Sequence, residues 1–211
     1  MLKNEIPRMG LNNSIAPEAK YSCAFGEGNT LQASASHSFV TGKRNTLGSD
    51  TSCIIGYDNN IFGDVDNFII GVGNNTDDGG NFILGYSNYG QGNNYIIGHS
   101  NNFLDCDYNF IIGNNNVTTG PVENALILGR HLIASANEQV WLGCYNNPDP
   151  EFDNSESVVF FGIGNGDSDS TRSNLLYATR EGEFHIPEGV LKTAFTFDDT
   201  VSFNGIVECN K

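Results

Sequence analysis

At 211 residues, 38% of them hydrophobic, the chain is long enough for one ordinary domain or two small ones. Its 25 acidic residues outnumber its 10 Lys and Arg, giving a formal net charge of −15; such a surface repels phosphate backbones and anionic lipid alike, so neither nucleic acid nor a membrane surface is an expected partner. No apolar run approaches the length of a membrane span, so membrane insertion is not expected either.

Residues 1–20, which include Pro7 and Pro17, read as an irregular N-terminal segment, and Met1 to Gly10 lack the apolar stretch that a secretory leader needs. Residues 21–148 are a repeat array. A three-residue, largely apolar cluster followed by glycine occurs nine times. The first four are Cys23-Ala24-Phe25-Gly26, Phe39-Val40-Thr41-Gly42, Cys53-Ile54-Ile55-Gly56 and Phe68-Ile69-Ile70-Gly71. Then come Phe82-Ile83-Leu84-Gly85, Tyr95-Ile96-Ile97-Gly98, Phe110-Ile111-Ile112-Gly113, Leu126-Ile127-Leu128-Gly129 and Val140-Trp141-Leu142-Gly143. The glycines fall 13 to 16 residues apart. A fixed period of this kind marks a coiled architecture whose units are stable only when stacked, so an all-β solenoid of about nine coils is expected. Short apolar runs bounded by Gly and Asn, with no helical periodicity, leave little room for helix.

Within each unit the apolar cluster reads as a strand whose successive side chains point to opposite faces. The expectation is that the first and third places face the interior and the middle place faces out. That middle column is Ala24, Val40, Ile54, Ile69, Ile83, Ile96, Ile111, Ile127 and Trp141. An outward apolar column of that length is an interaction surface, and several copies packing their stripes about a common axis would bury it in a closed homo-oligomer.

Three places after the glycine stand Asn29, Asn45, Asn59, Asn74, Asn88, Asn101, Asn116 and Asn146, with Leu132 the exception. Asparagine tolerates left-handed backbone and bonds to nearby turn groups, so stacked copies are expected to form a turn ladder. A second small-polar column, Ser22, Ser38, Ser52, Asn67, Asn81, Asn94 and Asn109, marks the opposite corner. Directly after the glycine, consecutive units carry Tyr57, Val72, Tyr86 and His99; Tyr57, Tyr86 and His99 are candidate receptor contacts, since exposed rings can stack on sugars. The five cysteines are odd in number and form no CxxC, so neither a disulfide framework nor a zinc site is expected, and assembly in a reducing cytoplasm fits. Cys23 and Cys53, at first places of the motif, read as buried thiols acting as small hydrophobes.

Residues 149–211 read as a small C-terminal β domain. Ser157-Val158-Val159-Phe160-Phe161-Gly162 echoes the motif once more, and alternating Phe195, Phe197, Val201, Phe203, Ile206 and Val207 suggest short strands of a terminal cap. No catalytic or metal-ligating constellation emerges. His37, His99, His131 and His185 lack ligand spacing, Asp167-Ser168-Asp169 lacks the further ligands of a calcium loop, and Asp64/Asp66 and Asp105/Asp107 sit in turns with no sign of a pocket. No cofactor, no metal and no enzymatic activity are expected.

The units resemble the head repeats of trimeric autotransporter adhesins, broadly Ser-Val-Ala-Ile-Gly; Ser52-Cys53-Ile54-Ile55-Gly56 and Asn81-Phe82-Ile83-Leu84-Gly85 are the matching stretches. The same repeat type occurs in bacteriophage tail fibres and related virion appendages. The resemblance implies a left-handed parallel β-roll assembled as a homotrimer, in which the middle column would supply the trimer-axis contacts. The stretches Phe161-Gly162-Ile163-Gly164-Asn165-Gly166, Arg172-Ser173-Asn174-Leu175-Leu176 and Gly182-Glu183-Phe184-His185-Ile186-Pro187 look like a segment common in phage fibre and spike proteins. The expectation is a structural protein of a phage virion, a head or tail fibre or spike serving in host attachment, with residues 1–20 docking to other virion proteins and a host glycan or protein at the distal end. The alternatives are a bacterial cell-surface adhesin head and a glycan-degrading phage appendage.

Overall fold

The computed structural model describes residues 8–63, 66–149 and 158–186. The alternating segment from Phe195 to Val207, together with Asp64 and Cys209, lies outside these residues. Among the described residues the chain is a parallel β-solenoid of about nine turns with no helix.

Each turn contributes a long and a short strand. In chain order these are β1 (Arg8–Leu11) and β2 (Ser14–Ile15), β3 (Cys23–Glu27) and β4 (Thr30–Leu31), and β5 (Phe39–Lys43) and β6 (Thr46–Leu47). Next come β7 (Cys53–Tyr57) and β8 (Asn60–Ile61), β9 (Phe68–Val72) and β10 (Asn75–Asp78), and β11 (Phe82–Tyr86) and β12 (Tyr89–Gln91). The last full turns are β13 (Tyr95–His99) and β14 (Asn102–Phe103), β15 (Phe110–Asn114) and β16 (Val117–Thr118), and β17 (Leu126–Arg130) and β18 (Ile133–Ala134). β19 (Val140–Cys144), β20 (Val159–Asn165), β21 (Asn174–Thr179) and β22 (Phe184–His185) follow. The odd strands to β19, with β20 to β22, make a long sheet of thirteen strands, and the even strands to β18 make a short sheet of nine.

Beyond β20 the long sheet pairs antiparallel, through β21 and β22. As far as β20 its pairing is parallel and in register, glycine on glycine, so that Gly85 lies between Gly71 and Gly98. Its φ is 145°, and a Cβ there would overlap the carbonyl oxygen of Gly98, so a side chain would force the coils apart. The corner that follows is a left-handed residue such as Asp58, Ser87 or Ser100, with φ near 54°. The next residue is the buried asparagine. Asn88 Nδ2 donates to Asn74 Oδ1 (3.0 Å) and to the Gly98 carbonyl (2.8 Å), while Asn88 Oδ1 accepts from the backbone N–H and Nδ2 of Asn101. The same set recurs from Asn29 to Asn116, where Oδ1 accepts the N–H of Leu132 and the ladder stops. Asn146 lies apart, bonded to both backbone groups of Ile133. At the opposite corner, Ser38, Ser52 and Asn67 each donate a backbone N–H to the side chain of the preceding member, and the chain of bonds continues to Ala125. Buried corner groups are thus paired with other groups of the same chain.

The interior reverses the expected strand faces. Every member of the middle column, from Ala24 to Trp141, is fully buried inside the coil, against Leu31, Leu47, Ile61, Phe103 and Ala134 of the short sheet. The first and third places face out. The reason is cross-section. A turn of 13 to 16 residues encloses room for one column from each sheet, and two columns of Phe and Ile from the long sheet alone would not fit. Ser22 and Ala24, two residues apart, are buried together, as strand alternation requires.

Two further departures lie at the ends. Residues 8–15, expected to be irregular, form the first coil: Gly10 pairs with Gly26, and Asn13 Oδ1 accepts the Asn29 N–H at 2.9 Å. At the other end the motif glycine is Gly164, paired with Gly143, and not Gly162. Gly162 stands opposite Trp141, whose ring occupies the space a Cβ would need. The buried indole, its Nε1 donating to Gln139 Oε1 at 3.2 Å, fills the end of the core.

Candidate interaction surfaces

The outward side of the long sheet carries the first and third places of nine strands. The first places are Cys23, Phe39, Cys53, Phe68, Phe82, Tyr95, Phe110, Leu126 and Val140. The third are Phe25, Thr41, Ile55, Ile70, Leu84, Ile97, Ile112, Leu128 and Leu142. None of these eighteen is charged, and all are at least partly exposed. Rings stack along the face, Phe68 on Phe82 at 5.4 Å, Phe82 near Tyr95 at 5.7 Å, and Tyr95 near Phe110 at 6.4 Å. By strand geometry the face is roughly 10 Å wide and 40 Å long, comparable with the largest apolar patch a typical monomer exposes, about 300–600 Å². The middle column, buried in the chain's own core, cannot touch another copy; any axis contacts come from these two columns instead.

The outer side of the short sheet has the opposite character. Its in-register column reads Ser14, Thr30, Thr46, Asn60, Asn75, Tyr89 and Asn102 before turning apolar at Val117 and Ile133.

The three candidate receptor residues do not make one platform. Tyr57 is separated from Tyr86 by Val72 in the register, and its ring is covered by the Arg44 guanidinium at 4.2 Å, itself held by both oxygens of Asp58. Tyr86, 52% exposed, stacks on His99 at 5.0 Å. The corner two places after the glycine varies in bulk. Arg44 and Asp58 fill it early and His131 and Tyr145 late, while Gly73, Ser87 and Ser100 leave it shallow between. There a groove of about 500 Å³ opens, lined by Ser87, Tyr89, Ser100, Asn101, Asn102 and Leu104. The sequence carried its signal in that run of small corner residues, but only the fold shows that Tyr89, Asn102 and Leu104 border them.

Several titratable groups elsewhere have structural partners. His37 meets Asp50 at 3.4 Å, His131 stacks on Tyr145 at 4.3 Å, and Asp107 accepts two bonds from Asn93. Arg172 pairs with Asp169 and bonds the carbonyl of His131, tying the 167–173 loop to the corner. Among the described residues no group of three or more His, Cys, Asp or Glu could hold a metal ion. Cys23 and Cys53, expected to be buried, stand half-buried at outward places, and only Cys106 is fully buried. Desolvation pushes all three thiols above their ordinary value, which leaves them protonated and poorly nucleophilic near neutral pH. No protein-family model matches the chain, and no curated protein matches it.

Proposed function

We propose that this chain is a non-enzymatic structural protein of a bacteriophage virion, a head or tail fibre or spike, that works in attachment to the host surface. Three copies, each a left-handed roll, pack their long sheets about a common axis. The observation that carries the reading is the uncharged face of eighteen outward positions on a chain whose formal charge is −15. Burying one large apolar side chain is worth about 1.5–3 kcal/mol, so even partial cover over nine coils favours association strongly. Closed cyclic symmetry lets every copy cover its stripe without leaving an open end. The repeat's resemblance to phage fibre and adhesin-head units supplies the number three, the handedness and the setting. The acidic remainder keeps such an assembly soluble and repels further copies.

The test is immunogold labelling of purified phage particles and of uninfected host cells with antibody to this chain. Gold on a particle appendage, with antibody blocking adsorption, is the expected result. Gold on the bacterial envelope of uninfected cells would replace the virion reading by that of a surface adhesin head.

A further inference from the structure

The asparagines at the corners are saturated by one another, whereas the polar groups around the shallow groove are not. Among the described residues, Ser87 Oγ, Tyr89 Oη and the Asn102 side-chain amide have no hydrogen-bond partner in the chain, and Ser100 Oγ meets only His99 Nε2, at 3.3 Å. Asn102 is exposed and Leu104 is 50% exposed, beside the partly buried Tyr89 ring. Free hydroxyl and amide groups next to an aromatic ring and an apolar side chain suit a ligand with hydroxyls on its rim and C–H groups on its face.

We propose that this groove binds a neutral saccharide chain lying along the shaft. The proposal names the ligand class for the attachment role given above and in that sense rests on it. Charge narrows the class: no Lys or Arg occurs between Arg44 and Arg130, while Asp77 and Asp105 stand near Tyr89, so carboxylated or phosphorylated sugars are repelled. Burial first, then those two carboxylates, push the Tyr89 phenol above its ordinary value, which keeps its O–H as a donor. Tyr89 and Asn102 are register partners on adjacent coils. Their separation of roughly 4.8 Å is about the length of one pyranose ring, so each coil would meet one sugar of the chain. The groove, of about 500 Å³, is shallow and open, which suits a chain lying along its surface better than a small molecule enclosed in it. Tyr89, Asn102 and Leu104 belong to the short-sheet side, so packing through the long sheet leaves them open.

The test applies the full-length protein to a printed panel of neutral, acidic and phosphorylated glycans. Retention confined to neutral glycans is expected, with at least a tenfold loss in Tyr89→Ala and in Ser100→Tyr. The second variant fills the groove with a residue that the same corner column already carries at Tyr145, where φ is 44°. Tyr108→Asn, at the far corner, should bind as the parent does. Retention of anionic glycans, no retention of neutral ones, or unchanged binding by both groove variants overturns the proposal. Its failure is distinct from failure of the attachment reading. Particles labelled by antibody with glycan binding unaffected by the variants sink the groove alone, and glycan binding lost in the variants with no labelled particle sinks the virion reading alone.

Discussion

The outer faces of the two sheets are made by the same alternation, yet they differ in chemistry. Along the long sheet the outward places carry Phe68, Phe82, Tyr95 and Phe110; along the short sheet the outward column carries Thr46, Asn60, Asn75 and Asn102. Each is backed by a single inner column, wholly apolar behind the long sheet and mostly apolar behind the short one, where Thr76 and Gly90 interrupt it. Coil stability therefore rests on the inner columns and the corner ladders, and the outer faces are free to be specialised, one for a like surface and the other for water or a ligand. A solenoid can change its partners without changing its core, because core and partners are read from alternate residues of one strand.

The largest effect should come from breaking what both faces share. Ile96 is fully buried between Ile83 and Ile111. Ile96→Asp places a carboxylate there without a partner, at a cost on the order of 5 kcal/mol or more, comparable with the stability of a whole domain. The expected outcome is loss of the β signal in circular dichroism at room temperature, not a folded single chain. A folded variant that merely dissociates would mean the middle column faces out after all.

The next test separates the faces. Phe82→Glu puts one carboxylate from each copy into the apolar face, where like charges would be brought together and partly desolvated. Sedimentation should show a single chain with unchanged circular dichroism, while Asn75→Glu on the short sheet should leave the assembly as it was. If both variants remain assembled, or the parent itself sediments as a monomer, association through the long sheet is wrong.

Much of this was legible in the sequence, and what was not has identifiable causes. Period, corner glycines and asparagine columns specified the coil, because each sits where only a small or amide-bearing residue satisfies the backbone. Strand facing was not specified, since an apolar triplet such as Phe82-Ile83-Leu84 hides the alternation that normally tells inside from outside. The first coil was hidden because Arg8-Met9 breaks the apolar cluster, although Gly10 and Asn13 keep the spacing. The slip from Gly162 to Gly164 follows from the size of Trp141, which makes glycine necessary at an inward place. The groove was least visible, being made by missing bulk at Gly73, Ser87 and Ser100 beside residues of another strand.

The corner that joins the two faces offers a smaller and graded effect. Asn88→Ala removes the donor to the Gly98 carbonyl and the acceptor for Asn101. Leaving such buried groups unpaired costs about 1–3 kcal/mol. Thermal unfolding should shift down while both faces keep their binding, and equal loss of association or ligand binding would show that the ladder positions the faces as well as holding the coils.

The smallest predicted effect is a gain. Thr76 lies on the inner column of the short sheet, in register with Ile61 and Gly90, and its Oγ1 is buried with no partner among the described residues. The preceding coils place Leu47 and Ile61 in the same column, so nothing on that side of the core requires a hydroxyl there. Thr76→Val exchanges the hydroxyl for a methyl of similar shape and removes an unmet desolvation cost, worth about 1 kcal/mol or a little more. The unfolding midpoint should rise by a few degrees with no change in sedimentation, since the substitution touches neither outer face. A fall in stability would mean that the Thr76 hydroxyl has a partner inside the coil and that the polar group on the short sheet's inner column stabilises it.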